Sequence, residues 1–195
     1  MKPIENYDKA EALTGEYEVL PAGGYICKIR DAYVTTSQRS GNEMLVINFD
    51  ISEGKYAGFY QRKYDEAIKN NSDPTKEIKW PGVYRQMIQG ENSAGYFKGL
   101  MTTLAASNSG FDWDKCNWDE SKLAGLIFGG LFGREEYEKI DGSTGMSTKL
   151  RFVRNAEKIR TGNFEIPKDK LLKKELNPFA TTSEFTPVED DDLPF

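Results

Sequence analysis

The chain has 195 residues, a formal net charge of −5, and 38% hydrophobic, 12% aromatic and 29% charged residues, a composition that suits one soluble globular domain with appendages and excludes a fibrous or two-domain chain. Histidine is absent, which excludes the His-containing triads, His-metal sites and the commonest general base at neutral pH. Cys27 and Cys116 are the only cysteines; they supply neither a zinc framework nor a disulfide scaffold and are expected to be reduced thiols.

Residues 1–19 read as an N-terminal arm. Met1 to Glu11 is charged and lacks the apolar core of a secretion signal. The longest nearly uncharged apolar stretch, Leu123 to Phe132, is about half of the ~20 residues that span a bilayer. A cytoplasmic chain without membrane contact is expected. After Pro21-Ala22-Gly23-Gly24, Tyr25 to Thr35 alternates as a half-buried first strand, with Tyr25, Cys27, Ile29 and Tyr33 on one face and Lys28 and Arg30 on the other. The turn Ser40-Gly41-Asn42 leads to Met44–Ile51, where Leu45, Ile47, Phe49 and Ile51 alternate with Val46, Asn48 and Asp50 as the hairpin partner. Glu53-Gly54 and Ala57-Gly58 set off Phe59 to Asp65 as a third strand. Residues 66–91 are polar and interrupted by Trp80-Pro81-Gly82, an inserted loop with a short helix. Asn92 or Ser93 caps a helix in which Phe97, Leu100, Met101 and Leu104 follow the helical period until Ser107-Asn108-Ser109-Gly110. Leu126 to Lys139 and Ser147 to Arg154 are the last strands, joined by an Asp141-Gly142 hairpin turn.

Three strands, a helix and two strands predict a mainly β domain over residues 20–160: a five-stranded OB-fold Greek-key barrel with its helix between strands three and four. A basic linker (161–179) and a disordered acidic tail (180–195) follow. The tail holds Glu184, Glu189, Asp190, Asp191 and Asp192 and no Lys or Arg, so the first 179 residues are formally neutral, with 26 acids against 26 bases. From Lys149 to Lys174, nine bases face three acids. A basic segment before an acidic tail indicates nucleic-acid or protein partners.

The tip Glu189-Asp190-Asp191-Asp192-Leu193-Pro194-Phe195 joins acids to an apolar anchor. It resembles the C-terminal tip of bacterial and phage single-stranded-DNA-binding proteins, with Leu193 where bacterial members usually have isoleucine. Leu20-Pro21-Ala22-Gly23, the Ser40-Gly41-Asn42 turn, and Phe132-Gly133-Arg134-Glu135-Glu136-Tyr137 followed by Asp141-Gly142 make the body similar to bacteriophage-encoded single-stranded-DNA-binding proteins. The resemblance implies an OB-fold, sequence-independent binding of single strands, and recruitment of replication or recombination proteins by Asp190, Asp191, Asp192, Leu193, Pro194 and Phe195. It assigns no individual DNA contacts.

Those contacts follow from what a single strand requires: aromatic faces for bases and cations for phosphates. Tyr60, Arg62 and Tyr64 share one face of the expected third strand, with Lys28 and Arg30 beside it. Either face of that strand places a polar residue inward: Arg62 with the tyrosines, or Gln61 and Lys63 without them. Outward tyrosines are the reading adopted. Trp80 and Tyr84 either stack on bases or plug the barrel mouth. Arg39 in the first loop, and Lys149 and Arg151 with Lys139 around the last, border the usual OB groove. No metal or cofactor is expected: Asp112-Trp113-Asp114-Lys115-Cys116-Asn117 departs from a calcium loop at its fifth, sixth and twelfth positions. The glycines at 125, 129, 130 and 133 match no phosphate loop and read as bend points in a strand. The expected function is binding of single-stranded DNA. Alternatives are a protein-binding adaptor and an RNA-binding OB protein, and a nuclease would need body carboxylates for which Asp112, Asp114, Asp119 and Glu120 are the only candidates.

Overall fold

A computed structural model describes residues 18–172. Alternation builds the sheet where it was expected. β1 (Gly23–Thr36) and β2 (Glu43–Ile51) pair antiparallel, and Cys27, Ile29, Leu45, Ile47, Phe49 and Ile51 are all buried on one face. β1 also pairs with β4 (Ile127–Glu138), which forms a hairpin with β5 (Thr144–Arg154), while β3 (Val83–Met87) takes the free edge of β2. The result is a five-stranded antiparallel sheet in the order β3-β2-β1-β4-β5. Helix α2 (Ser93–Ser107) falls between the third and fourth strands. The sheet is open. Among the described residues no ladder joins β3 to β5, so the closed barrel expected from the element order is not formed.

The third strand is not Phe59 to Asp65. Phe59–Lys69 is a helix, α1, because β2 caps it. Gly58 precedes α1 at φ 72° with no side chain to offer, and the Asp50 carboxylate accepts the N–H groups of Tyr60 (2.9 Å) and Gln61 (3.0 Å). It satisfies two first-turn donors and sets a negative charge at the positive end of the helix. At a period of 3.6 residues, Tyr60 and Tyr64 stay neighbours and Arg62 leaves their face, so the parity conflict of the strand reading disappears. The third strand is instead β3, inside the stretch 66–91 that read as an inserted loop. It pairs from Val83 opposite Asn48 to Met87 opposite Met44; Arg85 and Gln86 in its centre hide the alternation. α2 lies where expected and Asn92 holds its N-cap position, but at φ 60° without a side-chain cap bond, and the Ser93 hydroxyl donates to the Gly90 carbonyl.

The main core lies on one side of the sheet, where Phe59 and Tyr60 of α1 and Leu100, Met101 and Leu104 of α2 meet Phe49, Phe128 and Phe132. On the outer side, α3 (Ala156–Arg160) and Phe164 cover Ile26 and Leu131. Two glycines permit this second layer: a Cβ at Gly129 would overlap Ile159, and one at Gly24 would overlap Phe164. Gly129 therefore admits a neighbour's side chain, a role its reading as a bend point omits.

β4 runs past Gly23, which pairs with Phe132, and residues 168–172 take the place β1 vacates. Lys170 N–H donates to the Arg134 carbonyl and Glu136 N–H donates to the Lys170 carbonyl, both at 2.9 Å. Arg134 binds Asp169 bidentately and Lys170 reaches Glu135 at 2.6 Å. Residues 161–172, read as the start of a linker, thus belong to the body. The rest of that linker, the acidic tail with Asp190 to Phe195, and residues 1–17 of the expected arm lie outside the described residues. No described helix is long and apolar enough to cross a membrane.

Candidate nucleic-acid interface

The register sets outer-face residues of three strands in rows: Tyr33 and Arg85 flanking a buried Val46 in one, and Asp31, Asn48 and Val83 in the next. A bulge in β1 between Ile29 and Asp31 sets the pattern. It adds one residue and inverts the alternation beyond it. Ala32 then packs on the core and Tyr33, expected inward with Tyr25, Cys27 and Ile29, turns out to 46% exposure.

The extra residue is Arg30. Its guanidinium sits 4.1 Å from the Trp80 ring centroid and donates to Gln61 Oε1 of α1 at 3.2 Å. Trp80 is anchored by its indole N–H, which donates to the Phe49 carbonyl at 2.9 Å, and its ring lies 5.2 Å from that of Tyr64. A β1 bulge, a helix and the segment entering β3 thereby bring Arg30, Trp80 and Tyr64 together. Asn48 donates to Asp31 Oδ1 at 2.7 Å, and the Arg30 Nε is 4.0 Å from the other Asp31 oxygen. Lys28 and Arg85 are exposed on the same face. An exposed cation–π contact is worth about 0.5–1 kcal/mol, enough to orient both partners. Aromatic faces beside cations are the chemistry of base stacking and phosphate pairing.

Other residues proposed for this role lie elsewhere. Tyr60 is only 8% exposed, edge-on to Phe49 at 5.4 Å and Phe59 at 5.2 Å; burial raises its phenol pKa far above the ordinary value, and no base can reach the ring. Arg62 pairs with Glu18 at 3.0 Å and donates to the Ala57 carbonyl. Tyr84 faces inward opposite Ile47, its hydroxyl donating to Gln86 and its pKa raised by burial; both aromatics weighed as a plug pack against the main core, and Trp80 also meets Arg30 and Tyr64. Arg39 is exposed in the β1–β2 turn. Lys149 and Arg151 converge with Lys170 on Glu135, at 3.0, 4.0 and 2.6 Å. Hydrogen bonds from Lys170 and Lys149 hold the Glu135 carboxyl down at about 2. Those three cations gather on one carboxylate, which positions them against the fold. Tyr33 and Arg85 join the face although neither was a candidate; the bulge hid one and the unrecognised strand hid the other.

A cavity of about 840 Å³ opens on the core side between β2, α2 and the turns after it, with Leu45, Phe97, Met101, Phe111, Trp113 and Trp118 in its lining. Trp118 is 70% exposed, stacks on Phe97 at 6.1 Å, and has φ 59°, a conformation rare for a bulky residue. Asp112, Asp114 and Glu120 line the same cavity with Lys98, a balance that repels phosphates. The Asp112 carboxylate accepts from Lys115 and from the Asp114 N–H.

Among known proteins, a family model described as a protein of unknown function (DUF669) matches residues 5–80, the stretch containing β1, β2, α1 and Trp80. No curated protein matches the chain. Over that stretch the chain is similar to a family whose activity is open.

Proposed function

We propose that the protein binds single-stranded DNA without sequence preference, coating and protecting strands in phage DNA replication or recombination, and that it recruits partners through Asp190–Phe195. The observation that carries this reading is the Arg30–Trp80–Tyr64 cluster where β1, α1 and the segment entering β3 meet, with Tyr33, Lys28 and Arg85 on the outer face of the adjoining strands. The connectivity supports an OB-type body: β1 pairs with both β2 and β4, a helix separates β3 from β4, and the face of the second and third strands is the one OB modules use for oligonucleotides, in barrels that are themselves partly open. The function is binding, with no turnover.

Titration with oligo-dT, duplex DNA and RNA at several salt concentrations tests the reading. Single-stranded DNA should quench Trp fluorescence, and its log affinity should fall with log salt by roughly 0.7 per phosphate contact. A flat salt response, or equal affinity for duplex, overturns it; preference for RNA replaces the ligand. Deleting residues 189–195 should leave strand affinity unchanged or higher while abolishing capture of a replication protein.

The cavity favours a second reading, an adaptor whose body binds protein. Apolar walls edged by Asp112, Asp114 and Glu120 suit a basic, apolar segment. Trp118→Ala separates the two: it should leave oligo-dT affinity intact, whereas an adaptor would lose its partner.

A further inference from the structure

Cations in the C-terminal half of the body divide into two groups. Arg134, Lys149, Arg151, Arg160 and Lys170 each hold a carboxylate. Arg154, Lys158 and Lys168, like Lys98 and Lys139 elsewhere, are exposed and, among the described residues, have no ion-pair partner. The first three line one pocket of about 450 Å³ between the end of β5 and residues 163–168, with Leu131, Phe152 and Phe164 as apolar walls and Glu165 as its one acid.

Phe152 is 46% exposed because β5 is an edge strand and Phe152 lies opposite Leu131 on the outer face. The Arg154 guanidinium sits 5.0 Å from its ring centroid. Nothing in the body uses this arrangement: the ring is half out of the fold and the charges are unspent.

We propose that this pocket is a second single-strand contact site, in which Phe152 stacks on a base and Arg154, Lys158 and Lys168 pair with phosphates. The inference rests on the proposed function and extends it. An aromatic ring flanked by unpaired cations is what sequence-tolerant binding of a phosphate-linked strand needs. Position supports it as well. The pocket's Leu131 and Phe152 lie on the outer face of the sheet, the face that carries Lys28 and Arg30, and α3 packs on that face against β1 and β4. A short strand occupies one cluster; a longer strand crosses α3 and reaches both.

The test compares oligo-dT of about 4 and about 16 nucleotides, the limits of what one OB module covers, on the full chain. Lys158→Glu with Lys168→Glu should lower affinity for the long strand at least about ten-fold and reduce its salt slope by roughly 1.4, two contacts at 0.7 each, while leaving the short strand unaffected. Phe152→Leu, which keeps all charges, should show the same length-dependent loss. Lys98→Glu with Lys122→Glu, charge-matched on the other side of the sheet, should not. If wild type binds both strands and the pocket variants match it in affinity and slope, the second site is overturned and the first stands. Equal losses at both lengths also overturn it. Failure of wild type to bind any oligo-dT overturns the proposed function, and this inference with it.

Discussion

Two cation clusters of the body, one at Trp80 and one at Glu135, hold their charges in opposite ways. On the β1–β2–β3 flank, Arg30 lies over Trp80 and next to Tyr64, with one carboxylate at the 4.0 Å limit of an ion pair. On the β4–β5 flank, Lys149, Arg151 and Lys170 share the single carboxylate of Glu135. Counting basic residues cannot separate the two. Lys149 and Lys170, at 3.0 and 2.6 Å from Glu135, are positioned by a carboxylate, whereas Arg30 is positioned by an aromatic ring and lends that ring its place.

The largest test concerns which tyrosine is structural. Tyr60→Ala should destabilise the fold by about 3–5 kcal/mol, as truncation of a buried aromatic does, read by denaturant unfolding. Unchanged stability with weakened DNA binding would reverse the assignment of inner and outer aromatics. Trp80→Ala should cost about 1–3 kcal/mol of oligo-dT affinity, the value of one stacked base. It also removes the bond to the Phe49 carbonyl, worth about 1 kcal/mol of stability, so melts accompany the titration. Arg30→Ala leaves that anchor in place and should weaken binding less.

Asp50→Ala should cost about 0.5–2 kcal/mol, the range for losing a helix cap, with reduced helical circular dichroism. No change would mean that α1 forms without β2. The smallest effect concerns Glu135. Its folded carboxyl lies at about 2 against an ordinary 4.5, so the stability it contributes is present above pH 4.5 and is lost as pH falls toward 2. Glu135→Gln should flatten that part of the acid-unfolding profile. It should also raise oligo-dT affinity slightly at low salt, because Lys149 and Lys170 are released, which tests the contrast between the flanks directly.

Much of the sheet was legible because a half-buried strand repeats at period two. Leu45 to Ile51, Leu126 to Lys139 and the Asp141-Gly142 turn show that period or its punctuation in a few residues. The site was legible in part: Arg30, Tyr64 and Trp80 were candidates and meet, whereas Tyr60, Arg62, Tyr84, Lys149 and Arg151 are held by the fold. What concealed their places was non-local. The Arg30 bulge reverses the parity of Tyr33 and is visible only against β2, and the cap that makes Phe59 to Lys69 helical comes from Asp50, a residue of another strand.

The sequence by itself determined the mainly β class, four of the five strands with α2 before the last two, and the apolar face of β2 and of β1 as far as Ile29, since these depend on residue periodicity. The tertiary structure alone decided that α1 is a helix, that residues 161–172 belong to the body, and which cations are free. Each of those turns on a partner distant in the chain: a carboxylate from β2, two glycines that admit Phe164 and Ile159, and a glutamate on β4 that three basic residues reach from other segments.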